Sequence, residues 1–307
     1  MDLKKIRKNI SYFFGWVALT TCSLIFTHLP KKLVYWAARQ IAALAYLMAG
    51  KQRKIALESL QIAFGSDKSK AEINKIARDC FTYMAKGAAE MMFLLDKPDL
   101  LKSQVSIEGK KHLDDALACG KGAILVSAHF GNFPLMLSRL SLEGYKVNGI
   151  MRHMRDERTE EFFVKKRKKT GIKIIYSQPR KTCVDESIRV LRDNETLFIL
   201  LDQNFGTAGV FVDFFGRKAA TATGPVVFAR RTGAAILPFF IVRQQDDKHK
   251  IIFEPQVKLI GEKTEEETIS INIQSLTNII ESYIRRYPAE WGWIHRRWKS
   301  RPNEGGG

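Results

Sequence analysis

Two stretches of the chain combine residue types and spacing that suit chemistry. The first reads Gly122-Ala-Ile-Leu-Val-Ser-Ala-His129-Phe-Gly-Asn132-Phe-Pro134. An apolar strand runs into His129, Gly131 and Asn132 turn the chain, and a helix follows. In an open α/β sheet, ligands bind outside the carboxyl ends of the strands. An imidazole there is placed for proton transfer, because its unperturbed pKa lies near neutrality. The competing reading is a histidine bonded to its own turn backbone. The second stretch runs from Leu200 to Arg217, and it begins as a buried strand that ends in Asp202-Gln203-Asn204. Its continuation, Gly209-Val-Phe-Val-Asp213-Phe-Phe-Gly216, either lines a greasy channel or forms a β-hairpin that completes the core. Thr221-Ala-Thr223-Gly224-Pro225 then opens a helix whose N-terminus suits an anion, although such a cap forms with or without one.

These residues need a scaffold, and alternating apolar runs supply it. Strands are expected at 123–128, 147–152, 172–176, 197–202, 235–243 and 250–254. Helices are expected at 132–142, 157–170, 183–192, 224–232 and 266–286. Strands alternating with helices indicate an α/β domain with a mostly parallel central sheet flanked by helices. Arg152 ends a strand expected to lie parallel to the His129 strand, so it emerges at the same sheet edge. It is the first candidate for a phosphate or headgroup ligand, with Arg155 second; the competing reading is a solvated arginine.

The N-terminus differs from the rest. Ser11 to Leu29 carries no charged residue other than His28 and is rich in aromatics. At roughly 1.5 Å per residue it approaches the thickness of a bilayer core. Residues 1–32 are therefore read as a membrane anchor and 33–104 as a helical, membrane-proximal segment. The α/β domain follows at 105–302, and 303–307 forms a flexible glycine tail. Basic residues outnumber those before the anchor on its C-terminal side, which leans toward a domain on the cytoplasmic face.

The formal charge is +18, from 50 Lys and Arg against 32 Asp and Glu, so anionic partners are expected. Nucleic acid would account for the charge but not for the uncharged N-terminal stretch, and no nucleic-acid motif is present. Cys22, Cys80, Cys119 and Cys183 show no CxxC or Cys/His ligand spacing. Reduced thiols are expected, with neither a disulfide framework nor a metal site, and no cofactor is called for. The run Lys165-Lys166-Arg167-Lys168-Lys169 is expected on an exposed helix face. His295-Arg296-Arg297, set between tryptophans, suggests an interfacial or substrate-side cluster.

The order His-Phe-Gly-Asn, then Asp-Gln-Asn with Gly-Val-Phe-Val-Asp-Phe-Phe-Gly-Arg, then Thr-Gly-Pro, then Trp291-Gly-Trp293-Ile-His295-Arg296-Arg297-Trp298 resembles the late acyltransferases of lipid A biosynthesis. The match covers nearly the whole chain. It implies a glycerolipid acyltransferase-like fold with an N-terminal membrane-anchoring helix, located at the bacterial inner membrane. It implies transfer of a fatty acyl chain from acyl carrier protein or acyl-CoA onto a hydroxyl of an anionic lipid acceptor, a lipid A precursor or related glycolipid. His129 would be the general base, and Asn132 joins it as a catalytic candidate. Asp202, Gln203, Asn204 and Gly224 are candidates for substrate binding, and the Gly131 and Asn132 amides for oxyanion stabilisation.

One position departs from the family. Its pattern sets an acid five residues after the histidine, where this chain has Pro134. Another carboxylate substitutes, with Asp156, Glu157 and Glu160 as candidates by chain order, or His129 works unassisted. The remaining alternative is a non-catalytic lipid-binding or assembly protein on the same scaffold.

Overall fold

Short apolar runs bounded by glycines and polar turns become strands, and longer amphipathic runs become helices. The computed structural model describes residues 3–261 and 264–302, so the expected tail at 303–307 lies outside the described residues. Five helices come first: α1 (Leu3–His28), α2 (Lys31–Met48), α3 (Gly50–Phe64), α4 (Lys70–Phe93) and α5 (Pro98–Gln104). The α/β part then runs β1 (Val105–Glu108), α6 (Lys110–Ala118), β2 (Ala123–Ser127), α7 (Phe133–Ser141), β3 (Val147–Met151), α8 (Glu157–Thr170), β4 (Lys173–Tyr176), α9 (Arg180–Arg192) and β5 (Thr196–Leu200). It closes with β6 (Val210–Phe214), β7 (Arg217–Thr221), α10 (Gly224–Thr232), β8 (Ala235–Arg243), β9 (His249–Phe253) and α11 (Glu265–Arg286).

Seven strands form one sheet in the order β1-β9-β8-β2-β5-β3-β4. Every neighbouring pair is parallel except β8 with β9. The mostly parallel α/β sheet expected from the sequence is therefore present. β2 lies at its centre and is buried at every residue, as a parallel strand covered on both faces must be. Its side chains alternate: Ile124 and Val126 join the core beneath α9, α10 and α11, whereas Leu125 joins the core beneath α6 and α7. β6 and β7 form a separate antiparallel hairpin. Val212, Phe214 and Phe215 bury into the first core, so the hairpin that completes the core prevails over the greasy channel. β1 lies outside the expected strands; its four residues are too few to show a period, and pairing with β9 stabilises them.

α4 begins at a Ser69–Glu72 capping box. Its inner face packs on α1, α2 and α3. α2 turns Val34, Tyr35, Ala38 and Ala42 inward, while Leu33, Trp36, Leu44, Leu47 and Met48 are exposed. Within α1, residues Arg7–His28 are long and apolar enough to cross a membrane, and only 11% of that span is buried. A core helix would be mostly buried, so the burial argues against that reading. Phe13, Phe14, Leu24 and Ile25 form the exposed apolar surface of this candidate anchor.

Candidate active site

β2 and β5 are adjacent and parallel, with Ser127 opposite Leu200. His129 and Asp202 each stand two residues beyond that pair, so both reach the carboxyl edge of the sheet at the same height. His129 Nδ1 lies 2.9 Å from Asp202 Oδ1. The other carboxylate oxygen accepts from Trp291 Nε1 at 2.7 Å. An ionised Asp202 accepts from Nδ1–H, which fixes the tautomer and leaves the Nε2 lone pair facing outward. Gln203 Nε2 donates to it at 3.0 Å.

Burial alone would lower the His129 pKa, but the charge and hydrogen bond of Asp202 prevail and hold it above the ordinary histidine value. Burial alone would raise Asp202, yet His129 and the Trp291 indole bring the carboxyl well below the usual range. The two groups form a hydrogen-bonded imidazole–carboxylate pair, and the second ring nitrogen meets the exposed Gln203 amide at the sheet edge.

The turn carrying His129 is clasped by the C-terminal segment. Gly131 has φ +56°, and a Cβ there would stand 2.2 Å from the Ile241 carbonyl oxygen. The glycine therefore permits both the left-handed backbone and the close approach of β8. The Gly131 amide donates to the Glu290 carbonyl at 2.9 Å, and the Gly292 amide donates to the His129 carbonyl at 3.0 Å. Trp291 and Trp293 are fully buried. The interfacial role suggested for the tryptophan-flanked cluster is corrected accordingly: Trp291 and Trp293 are core, and Arg297 is buried among Gln203 O, Ala220 O and Thr221 Oγ1. His295 alone of the His-Arg-Arg triplet reaches the site, its ring centroid 5.3 Å from that of His129.

The remaining sequence candidates divide. Asp202 and Gln203 stand at His129, although Asp202 is enclosed as its partner rather than free for a substrate. Asn132 is buried, and its Nδ2 donates to Gly87 O and Glu90 Oε2. It pins α7 to α4 and is not at the reacting edge of the imidazole. Asn204 bonds Ser300 and ties down the C-terminal segment. Gly224 opens α10 as expected. Arg152 and Arg155 are exposed beyond β3, and neither takes a hydrogen bond or ion pair among the described residues. The Gly131 amide is already bonded to Glu290, which removes it as an oxyanion donor.

The carboxylates suggested as substitutes for the absent acid lie on α8 or at its N-cap, and two of the three are engaged there. Asp156 caps α8 and pairs with Arg158, Glu160 accepts from Tyr176 and lies beside His153, and Glu157 is exposed in the first turn of α8. The basic run on α8 is only partly exposed: Lys166 is buried against Asp96, while Lys165, Lys168 and Lys169 face outward. What sequence reasoning missed is the partnership of Asp202 with His129 and Trp291. The signal was the polar Asp-Gln-Asn ending of a buried strand, but chain order does not say that β5 lies beside β2.

The model of the bacterial lipid A biosynthesis acyltransferases matches residues 2–300. The lipid A biosynthesis palmitoleoyltransferase of Escherichia coli is 25% identical over 302 residues, covering 95% of this chain and 92% of that protein. The lipid A biosynthesis lauroyltransferase of the same organism is 24% identical over 296 residues, 95% of this chain and 93% of that one. The phosphatidylinositol mannoside acyltransferase of Mycobacterium tuberculosis is 26% identical over 193 residues, 62% of this chain and 59% of that one. With a match that spans all but the chain's ends, the protein is an acyltransferase and belongs to the bacterial lipid A biosynthesis acyltransferase family.

Proposed function

We propose that the protein transfers a fatty acyl chain from acyl carrier protein, or acyl-CoA, to a hydroxyl of a lipid A precursor or related bacterial glycolipid, with His129 as general base. The observation that carries this reading is the His129–Asp202 pair, whose outward Nε2 is held by the exposed Gln203 amide. The acceptor hydroxyl displaces that amide and gives its proton to Nε2 as it attacks the thioester carbonyl. Asp202 stabilises the imidazolium so formed. Collapse of the tetrahedral intermediate expels the carrier thiolate, which takes the proton back.

The relatives' names support a glycolipid acceptor, and the large positive charge supports an acidic carrier and an anionic lipid. The exposed apolar faces of α1 and α2 support work at a membrane surface, and the basic residues that follow α1 support the cytoplasmic face of the inner membrane. Because Asp202 fills the role that Pro134 leaves open, the non-catalytic alternative loses its motive.

The test offers acyl carrier protein loaded with a radiolabelled chain to membranes that contain lipid A precursor. The expected outcome is labelled product with the native chain and a loss of about a thousandfold or more with His129→Ala. Equal product from both would sink the assignment of His129. Label in a phospholipid and not in the lipid A precursor would instead correct the acceptor.

A further inference from the structure

His295 stands in the site without a role in the scheme above. Its position is fixed from both sides by buried anchors: Trp291 on Asp202, Trp293 Nε1 on the Pro288 carbonyl, and Arg297 on Ala220 and Thr221. Such a segment holds the side chain between its anchors in one place, as a preorganised group requires. The Gln203 amide nitrogen marks the point where the acceptor hydroxyl must sit. It lies 3.0 Å from His129 Nε2 and 3.5 Å from His295 Nε2. A thioester attacked from that point carries its carbonyl oxygen a bond or two further on, within reach of the second imidazole.

We propose that His295 is a catalytic residue of the acyl transfer: with the Gln203 amide displaced and the ring proton on Nε2, its N–H donates to the thioester carbonyl oxygen as that oxygen becomes negative. The inference rests on the reading of His129 as base. In the step, the hydroxyl proton passes to His129 Nε2 and the hydroxyl oxygen bonds to the carbonyl carbon. The carbonyl π pair moves onto oxygen, where the His295 N–H meets it. The pair then returns, the C–S bond breaks, and the thiolate takes the proton from His129.

Two other groups near the point direct donors elsewhere. The Gly131 amide bonds the Glu290 carbonyl, and the Arg297 guanidinium bonds Gln203 O, Ala220 O and Thr221. Burial and the neighbouring His129 hold His295 below the ordinary histidine value, against a smaller opposite pull from Asp202. His295 therefore stays neutral when His129 takes up the proton, and a neutral imidazole donates without competing for it.

The experiment measures initial rates of the full chain in membranes for wild type, His129→Ala, His295→Ala and His295→Gln, across the pH range and against donor concentration. Expected is a loss on the order of a hundredfold in kcat for His295→Ala with KM little changed. His295→Gln recovers part of that loss, since its amide N–H reaches the same point, and the acidic limb set by His129 stays in place in both. His295→Ala at the wild-type rate overturns the proposal. Equal losses in the Ala and Gln variants, or a rise in KM alone, overturn it in favour of packing or binding. Loss in His129→Ala without loss in His295→Ala removes only the second histidine. Wild-type turnover in His129→Ala removes the reading of the base and this proposal together.

Discussion

Besides the surface pair His153–Glu160, two histidine–carboxylate pairs stand among the described residues, and they differ in what surrounds them. In the first, His129 bonds Asp202, and the side chains are 27% and 1% exposed. In the second, His249 Nε2 lies 3.0 Å from Glu90 Oε2, with both side chains essentially enclosed. Glu90 also accepts from Tyr35, Asn132 and both terminal nitrogens of Arg243. Lys86 and Arg243 share Asp247 beside it. Burial alone would raise the Glu90 pKa, but His249 and Arg243 hold the carboxyl far below the usual range. Both carboxyls are thus held below their usual range, yet the second imidazole is enclosed. Perturbation marks both; an accessible lone pair on the imidazole separates the pair proposed as reactive from the one that ties α2, α4, α7, β8 and β9 together.

The comparison breaks most sharply at the carboxylates. Asp202→Asn should lower kcat by about a thousandfold to ten-thousandfold, because its one oxygen is taken by Trp291 N–H, the amide NH2 then faces Nδ1, and the tautomer is lost. The sign of the pH effect follows from what holds each group. A general base works unprotonated, so kcat/KM of the native chain should rise with pH through a midpoint above the ordinary histidine value near 6.5. Without Asp202 the influence that raises it is gone and burial remains, so the midpoint should move below that value. A pH–rate profile of the residual activity checks it, and a midpoint that stays put would mean that Asp202 does not couple to the base.

Glu90→Gln should act on stability instead. Removing one charge leaves the buried Arg243 with only Asp247, which it shares with Lys86, as ion-pair partner; breaking a buried pair costs up to about 3–5 kcal/mol. Thermal unfolding in detergent should fall markedly, while turnover per folded molecule is largely kept. A mutant with native unfolding and lost turnover would move Glu90 into the catalytic machinery. His249→Asn removes one donor of several from the same hub, so its expected cost is smaller, about 1–3 kcal/mol, with the pH profile unchanged.

The sequence exposed the sheet more readily than its chemistry. Parallel strands covered on both faces are continuous apolar runs, and those at 123–128, 197–202 and 235–243 show it apart from their polar ends; α8 and α10 begin and end where their caps and flanking glycines stop them. β1 and the hairpin were harder, because four residues carry no period and an apolar loop and an apolar hairpin look alike in one dimension. His129 was visible from its strand-to-turn setting. Asp202 was visible as a polar residue closing a buried strand, but its partner lies 73 positions earlier in the chain, and only the β2–β5 register places the two side by side. Trp291 drew attention as an interfacial residue because indole rings favour that depth, whereas here its N–H is used to steady Asp202.

Pro134 gives the smallest expected effect and the finest test of the pairing. It occupies the first turn of α7, where a missing N–H costs nothing and the fixed φ suits the helix. A carboxylate there would help His129 only by accepting from Nδ1–H, and Asp202 already does so at 2.9 Å. In the proposed step the remaining nitrogen is the one that receives the hydroxyl proton. Pro134→Glu should therefore leave kcat/KM within about twofold, a change worth only a few tenths of a kcal/mol in the barrier. Combined with Asp202→Asn, however, the same substitution becomes informative: partial recovery of rate in the double variant would show that the two carboxylate positions serve one nitrogen. A gain of about tenfold or more from Pro134→Glu in the otherwise native chain would mean that Asp202 leaves the imidazole poorly held.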